Sequence, residues 1–228
     1  MVSLAENVAS GRGLYTSKEA AFYARMPPVT MSRWIQGSRN GERVIRPEIW
    51  GEQDKFLTFM DFVQALAIRT FRLTYNIPLQ KIRSAVNNAA DRHGVEHPFA
   101  RNHVTYWDGK DIHIELTDGL LTQITGKGLD QGSFKRLVEV YLRDLTFDHD
   151  GVAATYRAYT WKDTEIRMNP KVRFGEPIVM SCGYTAQSLW QACITEGSIE
   201  AGSKAYGVGV DEAEGAYRYY DFLQGKAA

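Results

Sequence analysis

A cysteine lies between a short apolar run and an amphipathic segment in the stretch EPIVMSCGYTAQSLW, residues 176–190. The apolar residues stop at a Ser-Cys-Gly turn, and Thr185 opens the segment that follows. Such a strand-to-helix turn presents a side chain beside a helix N-terminus, where the pKa of a thiol can be lowered. The spacing therefore raises nucleophilic catalysis by Cys182 as a first hypothesis.

The rest of the chain argues against that chemistry. A cysteine nucleophile needs a base within hydrogen-bond reach, and residues 150–228 contain no histidine. The acids Asp144, Asp148 and Asp150 follow an amphipathic segment into a polar turn, without a glycine-rich phosphate cradle or metal-ligand spacing. We therefore expect Cys182 to be a small, partly buried turn residue, and we expect the protein not to be an enzyme.

Metal and disulfide chemistry are not indicated either. The chain has two cysteines, too few for a disulfide framework or a zinc quartet. His93 and His97 have the spacing of a helical metal pair, but Gly94 and Pro98 interrupt that helix, which predicts loop histidines. We expect no metal, no cofactor and no catalytic residue.

Length and hydropathy bound the class of protein. A chain of 228 residues can form one large domain or two to three small ones. Its longest apolar stretches, such as FVQALAI, are far shorter than the roughly 20 residues that cross a bilayer, and the start MVSLAENVASGRG lacks the pattern of a signal peptide. We expect a cytoplasmic protein with no membrane partner.

The net charge is zero, but the charges are unevenly distributed along the chain. Residues 1–102 hold 14 Lys and Arg against 9 Asp and Glu, a balance of +5. Residues 103–165 hold 7 against 11, a balance of −4, and residues 166–228 hold 6 against 7, a balance of −1. A basic end on a neutral chain favours a phosphate-bearing partner for that end.

Two short helices are predicted near the N-terminus. YTSKEAAFYA begins a helix at Thr16, with Glu19 three residues later completing a capping box. A short break with two prolines leads into VTMSRWI, which ends near Gly37. Two helices joined in this way resemble a helix-turn-helix, whose second helix enters the major groove. The predicted DNA-contacting residues on that helix are Thr30, Ser32 and Arg33.

A wing is predicted after the second helix. In QGSRNGERVIRP, the pair Asn40-Gly41 is a strong two-residue hairpin signal. The arginines around it, Arg39, Arg43 and Arg46, are placed to hold phosphates beside the recognition helix. An ordinary α-helical hairpin with solvated arginines is the open alternative.

The remaining pattern predicts an α+β fold that is mainly α-helical. Helices are predicted over TFMDFVQALAIRTFRLTYN, LQKIRSAVNNAADRHG and FKRLVEVYLRDLTFD, with a hairpin around Asp108-Gly109 and a strand over AATYRAYTW. The C-terminal part reads as a strand followed by three helices, which could form a second helix-turn-helix-like unit. The first helical segment begins at Thr185, and Ser198 and Asp211 are the predicted caps of the other two. The predicted domains are a winged helix-turn-helix with its following helices (1–95), an α+β segment (96–165) and a helical domain (166–228).

Two parts of the chain resemble known families. YTSKEAAFYARMPPVTMSRWI, followed by a glycine and an arginine-containing hairpin, resembles the winged helix-turn-helix of MerR-type regulators. The stretch from MNPKVRFGEPIVMSCGYTAQSLW to the Tyr-rich end resembles a short domain, formerly of unknown function, of VapB-type antitoxins that are paired with PIN-domain ribonuclease toxins. The family usually has Gly-Thr where this chain has Ser181-Cys182, which supports Cys182 as a turn residue.

The resemblance implies an antitoxin that neutralises a PIN-domain ribonuclease toxin and represses its own operon by binding operator DNA as a homodimer. It places the toxin contact in the C-terminal domain, whose aromatic residues are of the type enriched in interfaces, although helical spacing also fits a core role. The aromatic candidates are Trp190, Tyr206, Tyr217, Tyr219 and Tyr220. A stand-alone MerR-like transcriptional regulator without a toxin partner is the alternative. The sequence leaves open the operator, the oligomeric state and which helix-turn-helix-like unit contacts DNA.

Overall fold

The structure is a computed structural model of the chain. It describes residues 11–37, 43–50, 55–102, 104–107, 111–115, 121–123, 135–136 and 143–225. In these residues, we find no helix whose length and apolar content would let it span a bilayer.

The N-terminal helices form as the sequence predicts. Helix α1 is Ser17–Tyr23 and helix α2 is Pro28–Gln36. The Thr16 side chain accepts a hydrogen bond from the backbone of Glu19, whose carboxylate accepts one from the Thr16 backbone, so the capping box is confirmed. The predicted small-residue face is also confirmed, since Ala20, Ala21 and Ala24 are buried.

The paired strands after α2 lie later in the chain than the predicted wing. Strand β1, Ile49–Trp50, pairs antiparallel with β2, Lys55–Phe56. The predicted turn at Asn40-Gly41 lies outside the described residues, and Arg43 and Arg46 precede β1. The winged arrangement itself stays a prediction.

Two long helices follow and contribute buried residues to the N-terminal core. Helix α3 is Phe59–Leu73 and helix α4 is Leu79–His93. Thr58 caps α3, with Asp61 completing a capping box. His93 is the last helical residue of α4 and not a loop residue, because the helix continues up to Gly94, where a positive φ ends it. His97 follows in the connection and is buried.

The middle of the chain forms a four-stranded antiparallel sheet with the order β5-β4-β3-β6. Its strands are β3, Val104–Trp107; β4, Ile112–Glu115; β5, Leu121–Gln123; and β6, Lys135–Arg136. Strands β3 and β4 form the hairpin predicted at WDGKDI, with Trp107 opposite Ile112. Its turn at 108–110 lies outside the described residues.

A second four-stranded antiparallel sheet has the order β10-β9-β8-β7. Its strands are β7, Leu145–Phe147; β8, Ala153–Trp161; β9, Thr164–Met168; and β10, Pro177–Val179. The strand predicted over AATYRAYTW is confirmed as β8. The helix predicted over FKRLVEVYLRDLTFD is wrong at both described ends, because β6 and β7 are strands there; residues 137–142 lie outside the described residues.

Three helices follow β10; the first and third pack on this second sheet, and the second packs on the other two helices. They are α5, Ala186–Thr195; α6, Ile199–Tyr206; and α7, Val210–Gln224. Ser198 caps α6 as predicted, and Thr185 caps α5. The predicted cap of α7 at Asp211 is wrong, because the helix begins two residues earlier: the Gly209 backbone N–H donates to Glu212 Oε2 over 2.7 Å.

The α+β class is therefore confirmed. A cluster of buried residues runs from Tyr15 through α3 and α4 to Met168, and a second one joins Ile166 and Val179 to α5 and α7. The division into 1–95, 96–165 and 166–228 stays a prediction; its second boundary falls inside β9.

Candidate nucleic-acid interface

The predicted recognition residues lie on a helix whose inner face is buried. Met31, Trp34 and Ile35 are 0%, 6% and 0% exposed, so α2 is held against the core on that side. Arg33 is exposed on the other side, and Thr30 and Ser32 are partly exposed. That these three residues contact DNA stays a prediction.

The three predicted wing arginines differ in what the structure shows of them. Arg39 lies outside the described residues, and Arg43 is exposed. Arg46 donates to both carboxylate oxygens of Asp91 on α4, over 2.8 and 3.3 Å. That hydrogen bond lowers the pKa of the Asp91 carboxyl. Arg46 is thus tied to α4 by an exposed bidentate pair, whereas Arg33 and Arg43 face solvent.

A groove beside α2 collects arginines that the sequence reasoning missed. It has a volume of about 420 Å³ and lies between the α1–α2 turn, α2, the C-terminal part of α3 and the start of α4. We call it the arginine groove, after its five arginines Arg25, Arg33, Arg69, Arg72 and Arg83. Thr30 of the predicted recognition set also lines it, so Thr30 and Arg33 share a surface with arginines of α3 and α4.

Backbone carbonyl groups hold two of these guanidinium groups. Arg69 Nε donates to the carbonyl oxygen of Arg25 over 3.2 Å, and Arg72 Nη1 donates to that of Ile77 over 2.7 Å. The guanidinium of Arg25 lies 4.0 Å from the centre of the Phe222 ring, which gives it a cation–π contact. Burial, with the neighbouring charge of Arg25, lowers the pKa of Arg69.

The sequence contains one signal for this groove. Arg69 and Arg72 are three residues apart on α3, so they lie on the same helix face. That spacing also fits an ordinary solvated face, and Arg72 in the last turn suits the helix dipole. The approach of α2 and α4 to that face is a matter of tertiary packing, which periodicity does not reveal.

The aromatic partner candidates divide into core residues and half-buried ones. Tyr219 and Tyr220 are 1% and 4% exposed and belong to the C-terminal core. Trp190, Tyr206 and Tyr217 are half-buried. The Trp190 ring stacks on that of Tyr220, with centroids 4.9 Å apart.

Exposed apolar side chains lie on the same C-terminal helices and their flanking segments. Tyr206 meets Tyr184 edge-on, with ring centroids 5.0 Å apart, and Tyr184 is 38% exposed. Met180, Ile194 and Val210 are each about half exposed, at 54%, 54% and 46%. Large apolar side chains with this exposure are of the kind that protein interfaces cover.

The opening hypothesis of a reactive thiol is not supported by the geometry. Burial raises the pKa of the Cys182 thiol, so it is mainly protonated at neutral pH. Cys182 Sγ lies 3.9 Å from the Val179 carbonyl oxygen and is partly buried, as expected for a turn residue. Gly183 supplies the positive φ, +75°, that completes this turn.

The described residues contain a single cluster of metal-ligand types, Asp148, His149 and Asp150, and all three are exposed. Asp148 Oδ1 accepts from the backbone N–H groups of Asp150 and Val152, over 3.0 and 2.9 Å. This carboxylate therefore stabilises the turn before β8. Since exposed acidic turns are common without a metal, the cluster gives no reason to assign one.

The fold is shared with a solved bacterial structure. A crystal structure of Rv2018 from Mycobacterium tuberculosis superimposes with a TM-score of 0.63 at 21% sequence identity, covering 89% of this chain and 96% of that chain. A curated protein of Mycobacterium tuberculosis (strain ATCC 25618 / H37Rv), named "Putative antitoxin VapB45", is 24% identical over 223 residues, covering 89% of this chain and 92% of that protein. No family model matches the chain.

Proposed function

We propose that this protein is the antitoxin of a toxin–antitoxin pair, which binds and neutralises a PIN-domain ribonuclease and represses its own operon through DNA binding. The observation that carries the proposal is the similarity to the protein named "Putative antitoxin VapB45", which extends over 89% of this chain and 92% of that one. Coverage of this extent takes in both the arginine-bearing N-terminal part and the C-terminal helices.

The N-terminal face supports DNA binding in physical terms. Arg33 and Arg43 are exposed, and α2 buries Met31, Trp34 and Ile35, so within the described residues the side of α2 that carries Arg33 faces outward, where a duplex could approach. Arginine side chains hold backbone phosphates and read guanine edges, while hydroxyl groups such as that of Thr30 bind phosphate or bases. A homodimer would present two such helices to two half-sites.

The C-terminal face supports protein binding. Trp190, Tyr206 and Tyr217 each keep part of their surface exposed, and the apolar side chains of Ile194 and Val210 lie on the same helices. Aromatic residues bury a large area at low entropic cost, so they are frequent at the centres of interfaces. In this proposal the C-terminal helices bind the ribonuclease, and the protein acts by binding alone.

Co-expression with the adjacent reading frame tests the pairing. We expect a PIN-domain ribonuclease to be encoded beside this gene, to arrest growth when expressed alone and to co-purify with this protein when both are expressed. The same ribonuclease with an unrelated antitoxin is the control. Normal growth with the ribonuclease alone, or separate elution of the two proteins, would contradict the pairing. If the two proteins do not pair but this protein binds its operator specifically, a stand-alone regulator is favoured.

Arg33→Ala tests the DNA-binding face. Removing one charge-assisted phosphate or base contact should weaken binding to the upstream promoter fragment by about tenfold. If the contact is to phosphate, the salt dependence of log K should also flatten by about one unit. Fluorescence anisotropy at several salt concentrations measures both. The matched control is Lys204→Ala, because Lys204 is an exposed basic residue on α6. This variant should bind the promoter fragment like the wild type. Unchanged binding by Arg33→Ala would move the DNA contact away from α2.

A further inference from the structure

We propose that the arginine groove is a phosphate-binding site. The groove lies beside the exposed face of α2 and is lined by residues of α2, α3, α4 and the α1–α2 turn. The proposal deepens the DNA-binding part of the proposed function, and it depends on that function only for the source of the phosphate.

The first argument is convergence of positive charge. The five guanidinium groups come from four separate segments: Arg25 from the turn, Arg33 from α2, Arg69 and Arg72 from α3, and Arg83 from α4. A guanidinium is always charged, and its planar fork matches the oxygens of a phosphate. Cations brought together by three helices surround a bound phosphate from several sides, which a flat basic surface does not do.

The second argument is the missing counter-charge. Among the ion pairs of the described residues, none includes any of the five arginines of the groove. Asp144 lines an adjoining cavity together with Arg25 and Arg69. Its carboxylate, however, forms an ion pair with Arg157 over 2.8 Å. Like charges repel at close range, so a bound anion would lower the energy of this cluster.

The third argument is that the arginines are positioned and still have donors to spare. Arg69 and Arg72 each donate one N–H to a backbone carbonyl group, which fixes the side chain. An arginine has five N–H donors, so most of each fork remains for a ligand. Arg25 Nη1 and Arg83 Nε are buried and have no hydrogen-bond partner within the described part of the chain. Unsatisfied buried donors are uncommon and are often completed by a bound group.

The size of the groove fits a phosphate together with part of what carries it. Its volume of about 420 Å³ lies within the range of about 300–1,000 Å³ for ligand sites. Thr30 adds a hydroxyl group, and Leu73 and Leu79 add apolar walls. The phosphate can come from a DNA backbone that lies along α2 or from a free phosphate compound, since both offer the same oxygens.

Arg83→Gln is the main test, because the Arg83 side chain can lose its charge without losing a hydrogen bond seen in the structure. We expect about tenfold weaker binding of the phosphate that the groove holds. One set of measurements uses calorimetric titration with inorganic pyrophosphate, and the other uses anisotropy with a short DNA duplex at several salt concentrations. Arg92→Gln is the matched control, because Arg92 is an exposed arginine on the same helix outside the groove.

The two sets of measurements distinguish the sources. Pyrophosphate binding that weakens in Arg83→Gln but not in Arg92→Gln supports a site for free phosphate compounds. If wild-type protein binds no pyrophosphate, and Arg83→Gln but not Arg92→Gln weakens duplex binding, the groove holds a phosphate of the DNA backbone. A wild-type protein that binds pyrophosphate but not DNA would remove DNA binding from the proposed function and leave the groove as a phosphate site.

The proposal is overturned if wild-type protein binds neither probe, or if Arg83→Gln and Arg92→Gln weaken the binding equally. The melting temperature of each variant shows whether it is folded. If Arg83→Gln does not fold, Arg33→Gln on the opposite wall replaces it, since the Arg33 side chain is exposed and has no hydrogen bond in the described residues. The same selectivity against Arg92→Gln is then expected.

Discussion

His97 is a buried histidine held between carboxylates. It is 7% exposed, and its Nε2 lies 2.8 Å from Asp61 Oδ1. Its Nδ1 lies 3.6 Å from Glu48 Oε1. Asp61 is fully buried and also accepts the Thr58 backbone N–H at the start of α3. The imidazole therefore joins the start of α3 to the segment before β1, and a buried carboxylate depends on it.

The pH dependence of this contact can be predicted in sign. Burial opposes the charged imidazole, but the hydrogen bond to Asp61 and the charges of Asp61, Glu48 and Glu96 outweigh it, so the pKa of His97 is raised above 6.5. Because the pKa of His97 is higher in the folded protein than in the unfolded chain, protonation of the imidazole stabilises the fold. This stabilisation is complete at pH values below the pKa of the unfolded chain, and it is lost as the pH rises through the pKa of the folded protein.

His97→Gln should therefore lower the free energy of unfolding most at acidic pH. Breaking one side of a buried charge pair costs about 3 kcal/mol, and the cost should shrink as the pH rises above the folded pKa. Urea denaturation across this pH range measures the change. His93→Gln, at the exposed end of α4, is the control and should have little effect. A cost independent of pH would show that His97 is not protonated in the native protein.

At the scale of secondary structure, the close crossing of α5 and α6 depends on one glycine. A Cβ added at Gly202 would lie 2.7 Å from Cys193 N and 2.9 Å from Cys193 Sγ. Both helices are short, so the three C-terminal helices rely on packing against each other and against β9 and β10. The absence of a side chain at Gly202 allows this approach.

Gly202→Ala should destabilise the protein although alanine favours helices. In an open helix the change would stabilise by about 0.5–1 kcal/mol, but here the overpacking against Cys193 should cost about 1–3 kcal/mol. Thermal unfolding measures the difference. Lys204→Ala, exposed on the same helix, should be close to neutral. A higher melting temperature for Gly202→Ala would show that the helices separate without cost.

Short-range sequence signals predicted many helix boundaries. They failed where the secondary structure depends on pairing with a distant strand. The caps at Thr16, Thr58 and Ser198 are short-range hydrogen bonds and were readable from the sequence. Leu145 has helical spacing to earlier apolar residues, yet it lies in β7 opposite Tyr156 of β8. A strand partner eleven residues away is a tertiary contact, which the periodicity of one segment does not contain.

Only the residues that α2 contributes to the candidate site were predictable from the sequence. Thr30, Ser32 and Arg33 follow from the helical period of α2, whose apolar residues identify the buried face. The partners of Arg33 in the arginine groove come from α3 and α4, among them Arg72 and Arg83. Their convergence depends on how three helices pack, so no spacing in the sequence predicts it.

At the scale of the whole molecule, the described N-terminal and C-terminal parts of the chain pack against each other. The Tyr15 hydroxyl donates to the Gly175 carbonyl oxygen over 2.8 Å, and the Leu14 backbone N–H donates to the Phe174 carbonyl oxygen over 3.0 Å. Phe22 of α1 meets Tyr220 of α7, with ring centroids 5.9 Å apart. Helix α1 thus rests on α7, which also contacts Trp190 of α5.

This arrangement places the two proposed binding faces on one connected framework. The arginine groove begins at Arg25, whose guanidinium covers the Phe222 ring of α7. Trp190 stacks on Tyr220 of the same helix. A protein built in this way can hold DNA at one end and a protein partner at the other without chemistry of its own, which is the central claim of the proposed function.

Titration of the partner ribonuclease with this protein tests that claim most directly. The ribonuclease that we propose as the partner is purified alone, and its cleavage of a labelled RNA is followed as this protein is added. We predict that cleavage falls in proportion to the added protein and stops near equimolar amounts. Cleavage that continues undiminished in the presence of excess protein would contradict the account.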